Sequence, residues 1–124
     1  MTQINPELLK TMFVNPNDVE WEYEIDSVDG TKFRKKTLFA DPVTKIEVVY
    51  SVYPKGYCKS AHHHTGAQGL YVLDGIMQAD GKILHPGEFV WFPAGTVGTH
   101  GATDESGVTF LAIGEVGAQL IYDS

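Results

Sequence analysis

Turn residues punctuate this chain so often after Thr31 that long helices are ruled out. "DPVT", "YPKG", "LDG", "ADG", "HPGE", "PAGTVG" and "TDESG" break it in succession. Between them lie short runs rich in β-branched and aromatic residues: "FRKKTLF", "KIEVVYSV", "GLYVL", "EFVWF", "VTFLAI" and "AQLIY". Glycine and proline supply the backbone angles that tight turns need, while β-branched and aromatic side chains suit a pleated surface. Short strands at this spacing, with 13 glycines and 6 prolines, predict an all-β sandwich or barrel. The mouth of a barrel is a ready cavity for a ligand.

The first 30 residues read differently. "NPELLKTMF", Asn5 to Phe13, predicts a short helix, with Asn5 as its cap and Pro6 at the first helical position. "EWEYEI", Glu20 to Ile25, alternates acidic and apolar residues and predicts an edge strand with one dry face. No linker or repeat separates these elements from the rest. The chain therefore reads as one unit, with the helix and edge strand in 1–30 and the barrel in 31–124.

With 124 residues and 43% hydrophobic content, one sizeable core is expected. The net charge of −7 leaves no basic face denser than "KFRKK", which argues against a nucleic-acid partner. No run approaches the roughly 20 apolar residues of a membrane-spanning helix. "MTQINPELLK" lacks the basic start and apolar centre of a signal peptide. Cys58 is the single cysteine, so no internal disulfide forms. A cytoplasmic protein without a membrane partner is the expectation.

Chemistry concentrates in "KGYCKSAHHHTGAQGLYVLDG", Lys55 to Gly75. Successive side chains in a strand point to opposite faces, so His62 and His64 share one face and His63 takes the other. Imidazoles two positions apart lie roughly 7 Å apart at Cα, close enough to converge on one metal. Gln68 approaches the same point across the turn at "TGA". By the same parity Cys58 faces inward with His62, as a small hydrophobe.

The spacing Gly56, five residues, His62, one residue, His64, three residues, Gln68, six residues, Gly75 resembles the first motif of the cupin superfamily. Gln68 stands where that family usually has Glu. A second cupin-like motif follows: Gly87, five residues, Pro93, one residue, Gly95, and then His100 five positions on. The family's histidine normally comes three positions after that glycine. The resemblance covers roughly Val48 to Ile113.

It implies a jelly-roll barrel holding one divalent transition metal on His62, His64 and His100. Gln68 would be a fourth ligand or a hydrogen-bond partner of a ligand histidine. A site without a carboxylate looks like that of the three-histidine iron dioxygenases that cleave acetylacetone or dihydroxyacetophenone. The zinc-holding anti-sigma-factor cupin domains look similar but usually keep the Glu. Three imidazoles and an amide leave the metal's charge uncompensated, which favours an anionic or enolisable small molecule. Imidazole-rich sites suit Fe(II), Zn, Ni or Cu, with Fe(II) first on the resemblance.

Several other residues have plainer readings. His85, in "ILHPGE", reads as a solvated turn residue, and His63 as outward-facing. Arg34, the only arginine, would clamp a substrate carboxylate if its strand lined the cavity, and otherwise reads as solvated. Tyr57, Tyr71, Phe89, Trp91 and Phe110 read as core, contact or cavity-lining residues. The leading expectation is thus a metal-dependent cupin dioxygenase acting on a small diketone or hydroxyketone, as a homodimer or higher oligomer with the dimer first. "EWEYEI" and the helix are candidate contacts. The alternatives are a non-redox isomerase or lyase, whose only visible bases are Tyr57 and His63, and a metal- or ligand-binding sensing module without catalysis.

Overall fold

A computed structural model of the protein describes residues 10–64, 66–115 and 120–122; for residues 59–64 and 120–122 the description covers the backbone. The strands run β1 Glu22–Ile25, β2 Lys32–Ala40, β3 Ile46–Tyr53, β4 Cys58–His64, β5 Gln68–Gly75, β6 Met77–Ala79, β7 Lys82–Leu84, β8 Phe89–Phe92, β9 Val97–Ala102, β10 Val108–Glu115 and β11 Leu120–Tyr122. They form two antiparallel sheets. One has six strands in the order β1-β2-β3-β10-β5-β8, and the other five in the order β11-β4-β9-β6-β7. The two apolar faces meet in a jelly-roll sandwich.

The turns sit where the sequence places them. Asp80 and Gly81, both at positive φ, link the paired residues Ala79 and Lys82 in a two-residue hairpin, the turn that Asp-Gly favours. Gly75 is irreplaceable on space as well as angle. At φ +77 its missing Cβ would lie 2.1 Å from the Gly107 carbonyl oxygen.

Cross-strand partners share a sheet face, so the register lays out the inner surface of the larger sheet in rows. Phe33 and Tyr53 pack at one end, with ring centroids 5.0 Å apart. The next row crosses Ser51, Phe110 and Val72, and the next Val49, Ala112, Leu70 and Val90. The last runs Glu47, Gly114, Gln68 and Phe92. Leu70, Val72 and Phe110 are essentially fully buried, as is Met77 from the opposing sheet. Burial of such side chains contributes about 1.5–3 kcal/mol each.

The N-terminal segment lies on the outer face of the larger sheet. Trp21 packs 6.0 Å from Tyr50. The Arg34 guanidinium and the Lys36 ammonium sit over its ring at 4.2 and 4.3 Å, an attraction between cation and ring quadrupole. Lys36 Nζ also donates to the Pro16 carbonyl at 2.7 Å. Arg34 therefore clamps Trp21 on the outside and is turned away from the interior.

Two expectations need qualification. Of the helix predicted over Asn5–Phe13, residues 5–9 lie outside the described residues, and Lys10–Phe13 adopt no regular structure. The edge strand forms as β1, but its dry face does not. All four residues are exposed, Tyr23 at 59% and Ile25 at 69%: these two share the outer face with Arg34 and Lys32, and the N-terminal segment that packs on Tyr50 through Trp21 leaves them uncovered.

Candidate metal centre

The second motif delivers His100 inward. The turn at Pro93–Thr96 closes through a Thr96 N–H to Pro93 carbonyl bond of 3.0 Å, and β9 begins at Val97. That longer approach absorbs the two-residue delay. His100 is 4% exposed and stacks on Tyr53 at 5.9 Å, with Phe92 and Phe110 each at 6.2 Å. Gly98 makes room for this arrangement. A Cβ there would meet the Phe92 ring at 2.6 Å.

The first motif is partly described. The side chains of His62, His63 and His64 lie outside the described set, but their backbone positions are fixed by pairing. Residue 62 pairs with Gly98 and residue 63 with Val97, while 64, 63 and 62 pair with residues 120, 121 and 122. Gly98 and His100 lie two apart on β9, so positions 62 and 64 fall by register on the face of the sheet that carries His100. Position 63 falls on the face of Val97, which is half exposed. Among the described residues, no group of three or more His, Cys, Asp or Glu side chains forms a metal cage.

The register also revises Cys58. It pairs with Gly101 and Lys59 with His100, and then the ladder slips by one residue before His62. This β-bulge breaks the parity between positions 58 and 62. Cys58 thus falls on the opposite face from His100, half-buried, with its thiol pKa pushed up by desolvation.

Gln68 begins β5 on the inner face. Its Oε1 is buried and accepts no hydrogen bond from a described residue. A buried carbonyl oxygen in that state is costly unless something outside the chain engages it. It borders a cavity of about 200 Å³ that also reaches His100, Ser51, Tyr53 and Phe110. The cavity exists because β10 is thin at this end. Gly114 stands between Glu47 and Gln68, and Ala112 between Val49 and Leu70. Phe110 closes the deeper end.

Charged groups also line the cavity: Glu24, Lys35, Glu47 and Glu115. Lys35 forms an ion pair with Glu24. Glu47 and Glu115 form no ion pair among the described residues. None of these four was singled out by the sequence analysis. Alternation along "KIEVVYSV" and the Tyr53 that follows it was the available signal, since it places Glu47, Val49, Ser51 and Tyr53 on one face.

The remaining candidates fall outside the cavity. Tyr57 is 2% exposed, and its hydroxyl donates to Asp26 Oδ2. Desolvation, with that bond, raises its pKa far above the ordinary tyrosine value, which removes it as a base. His85 is exposed and pairs with Glu88 at 3.1 Å, a turn residue as expected. Tyr71, Phe89 and Trp91 stand on the outer face, 39%, 52% and 54% exposed.

Comparison with known proteins agrees with this architecture. Residues 9–116 match the family model described as the ChrR cupin-like domain. A cupin-like protein from Thermotoga maritima is 29% identical, with 68% of each chain covered and a TM-score of 0.59. The polyketide cyclase RemF from Streptomyces resistomycificus superimposes with a TM-score of 0.77 over 93% of this chain and 87% of its own, at 17% identity. An RmlC-like cupin protein from Ralstonia eutropha gives 0.76 over 98% and 77%, at 23% identity. The last two likenesses show the fold alone. No curated protein sequence matches the chain.

Proposed function

The chain belongs to the ChrR-like cupin family, and from that premise we propose a metal-dependent enzyme in which His62, His64 and His100 hold one divalent transition metal. Fe(II) is the first choice, with Zn, Ni or Cu open. Gln68 Oε1 is the observation that carries the reading: a buried carbonyl oxygen with no described donor, beside an inward histidine, fits a cation. Such a centre would activate dioxygen toward carbon–carbon cleavage of a small enolisable diketone or hydroxyketone.

The chain's own residues support that use. Tyr53, Phe92 and Phe110 surround His100 and exclude water from its ring. Ser51, 6% exposed, presents a hydroxyl to the cavity, where it can orient a substrate oxygen. A second reading, non-redox proton transfer by an isomerase or lyase, draws support from Glu47. A carboxylate lining the cavity is the base that the sequence reading lacked.

One experiment separates these readings. Untagged protein, purified anaerobically, is analysed for metal and then given Fe(II) with acetylacetone or a hydroxyacetophenone. Oxygen uptake that depends on substrate is expected for the dioxygenase. Exchange of the substrate's acidic C–H for deuterium without oxygen uptake would move the assignment to proton transfer. His64→Ala should abolish stoichiometric metal and His63→Ala should leave it. Equal loss in both would overturn the ligand assignment.

For location and assembly we infer a cytoplasmic homodimer. No described helix is long and apolar enough to cross a membrane. The half-exposed rings of Phe89 and Trp91, which crowd over Gly69, give a second copy an apolar sheet face. Light scattering checks the mass.

A further inference from the structure

Glu47 is the feature of the cavity that the metal reading leaves unexplained. It sits part-buried on the inner face of β3, in the same row as Gln68 and separated from it only by Gly114. Two strand spacings put the backbones of Glu47 and Gln68 roughly 10 Å apart, and glycine leaves the space between them open. Lys35 is the one described cation lining the cavity, and it is engaged by Glu24. Glu47 has no charged partner among the described residues, whereas Glu115, which pairs with Ile46 on the opposite face and is exposed, only borders the cavity. A part-buried carboxylate that lines a cavity and lacks a charged partner is a natural acceptor for a cationic donor.

Glu47 does not stand alone as a signal. Ser51 is 6% exposed and lines the same cavity, and Gln68 Oε1 is buried without a described donor. These groups make the cavity a built polar site for a small molecule. Its two ends differ in chemistry: a histidine and an amide carbonyl at one, uncompensated carboxylate at the other.

We propose that the cavity takes a small ligand with a protonated amine held by Glu47 and an anionic end that points toward Gln68 and His100. The anionic end rests on the metal reading above; the amine end does not. The ligand class is therefore a short zwitterion, an amino-carboxylate or amino-ketone enolate, rather than a plain diketone. A wholly anionic ligand of the same length would set negative charge against Glu47, whereas an ammonium group forms a charge-assisted hydrogen bond with it.

Calorimetric titration of the metal-loaded protein with 3-aminopropanoate, 3-hydroxypropanoate and propanoate tests this directly. The amine is expected to bind about 10-fold more tightly than propanoate, with the hydroxyl compound between them. Glu47→Gln should erase that preference while metal content, measured in parallel, stays the same. Glu47→Asp, which withdraws the carboxylate by one methylene, should reduce it partially, and serves if Glu47→Gln fails to fold. Equal affinity for all three ligands, or a preference that survives both substitutions, overturns the proposal. If the protein holds no metal, the functional reading fails. The amine claim is then decided on the metal-free protein, where 1-aminopropane should shift the Glu47 backbone resonance and 1-propanol should not. Indifference to both would sink it.

Discussion

The inner face of the larger sheet is built in two ways along its length. At one end, Phe33, Tyr53, Tyr57 and Phe110 interlock, with ring centroids 4.8 to 5.4 Å apart. At the other, the same strands carry Glu47, Ala112, Gly114 and Gln68, and a cavity opens. Backbone pairing is continuous through both: β10 stays paired to β3 from Val108 to Glu115. Side-chain size and polarity alone therefore decide which end is core and which is site. The packed end carries the stability that the open end gives up.

The largest test of that division is Phe110→Ala. Phe110 is 1% exposed and touches both the aromatic cluster and His100, so its truncation leaves a void that rigid neighbours cannot fill. A loss of about 3–5 kcal/mol is expected, measured as a lower urea midpoint with little change in slope. A loss below about 1 kcal/mol would mean that this end is as loosely packed as the other.

Tyr57→Phe probes the polar anchor of the packed end. The Tyr57 hydroxyl joins the barrel to the β1–β2 turn through Asp26, which also accepts from the Val28 and Asp29 amides at 2.7 and 3.3 Å. Losing one donor to a buried carboxylate should cost about 1–3 kcal/mol. The pH dependence has a definite sign. The folded pKa of Tyr57 is raised, so this group's stabilisation is complete below the unfolded tyrosine value near ~10 and falls as pH rises above it. Wild type should weaken steadily in that alkaline range, and Tyr57→Phe should weaken less. Parallel alkaline curves would place the hydroxyl outside the buried pair.

Much of this was legible in the sequence because two periods coincide. Turn residues mark the strand ends, and alternation within strands assigns faces, so the jelly roll follows from short-range pattern. The inward course of β9 was legible as a motif, although its extra two residues needed a turn that only the folded chain displays. Three things were not legible. The bulge between Lys59 and His62 is a pairing event between distant strands, and it reverses the face inferred for Cys58. The Tyr57–Asp26 bond spans 31 positions, and nothing local announces it. The exposure of Tyr23 and Ile25 follows from how little of the outer face of the edge strand the N-terminal segment covers, a property of the whole fold. Glu47 is different in kind. Its face was readable from "KIEVVYSV", but a charged residue in a strand is ordinarily assigned to solvent, and only the small side chains of the adjacent β10 show what it faces.

Gly114→Ala makes the finest cut between the two ends. The new methyl would lie 3.0 Å from the Ala67 carbonyl oxygen and 3.6 Å from Gln68, so a small displacement of that loop accommodates it. An added strand propensity of some tenths of a kcal/mol offsets the crowding, and stability should change by less than about 1 kcal/mol. Ligand binding should respond more, since the methyl enters the gap between Glu47 and Gln68 that a bound molecule must cross. Unchanged stability with weakened binding of 3-aminopropanoate is the expected result. If stability collapsed while binding in the folded fraction held, Gly114 would belong to the packed end, and the boundary between core and cavity would have to be drawn nearer to Glu115.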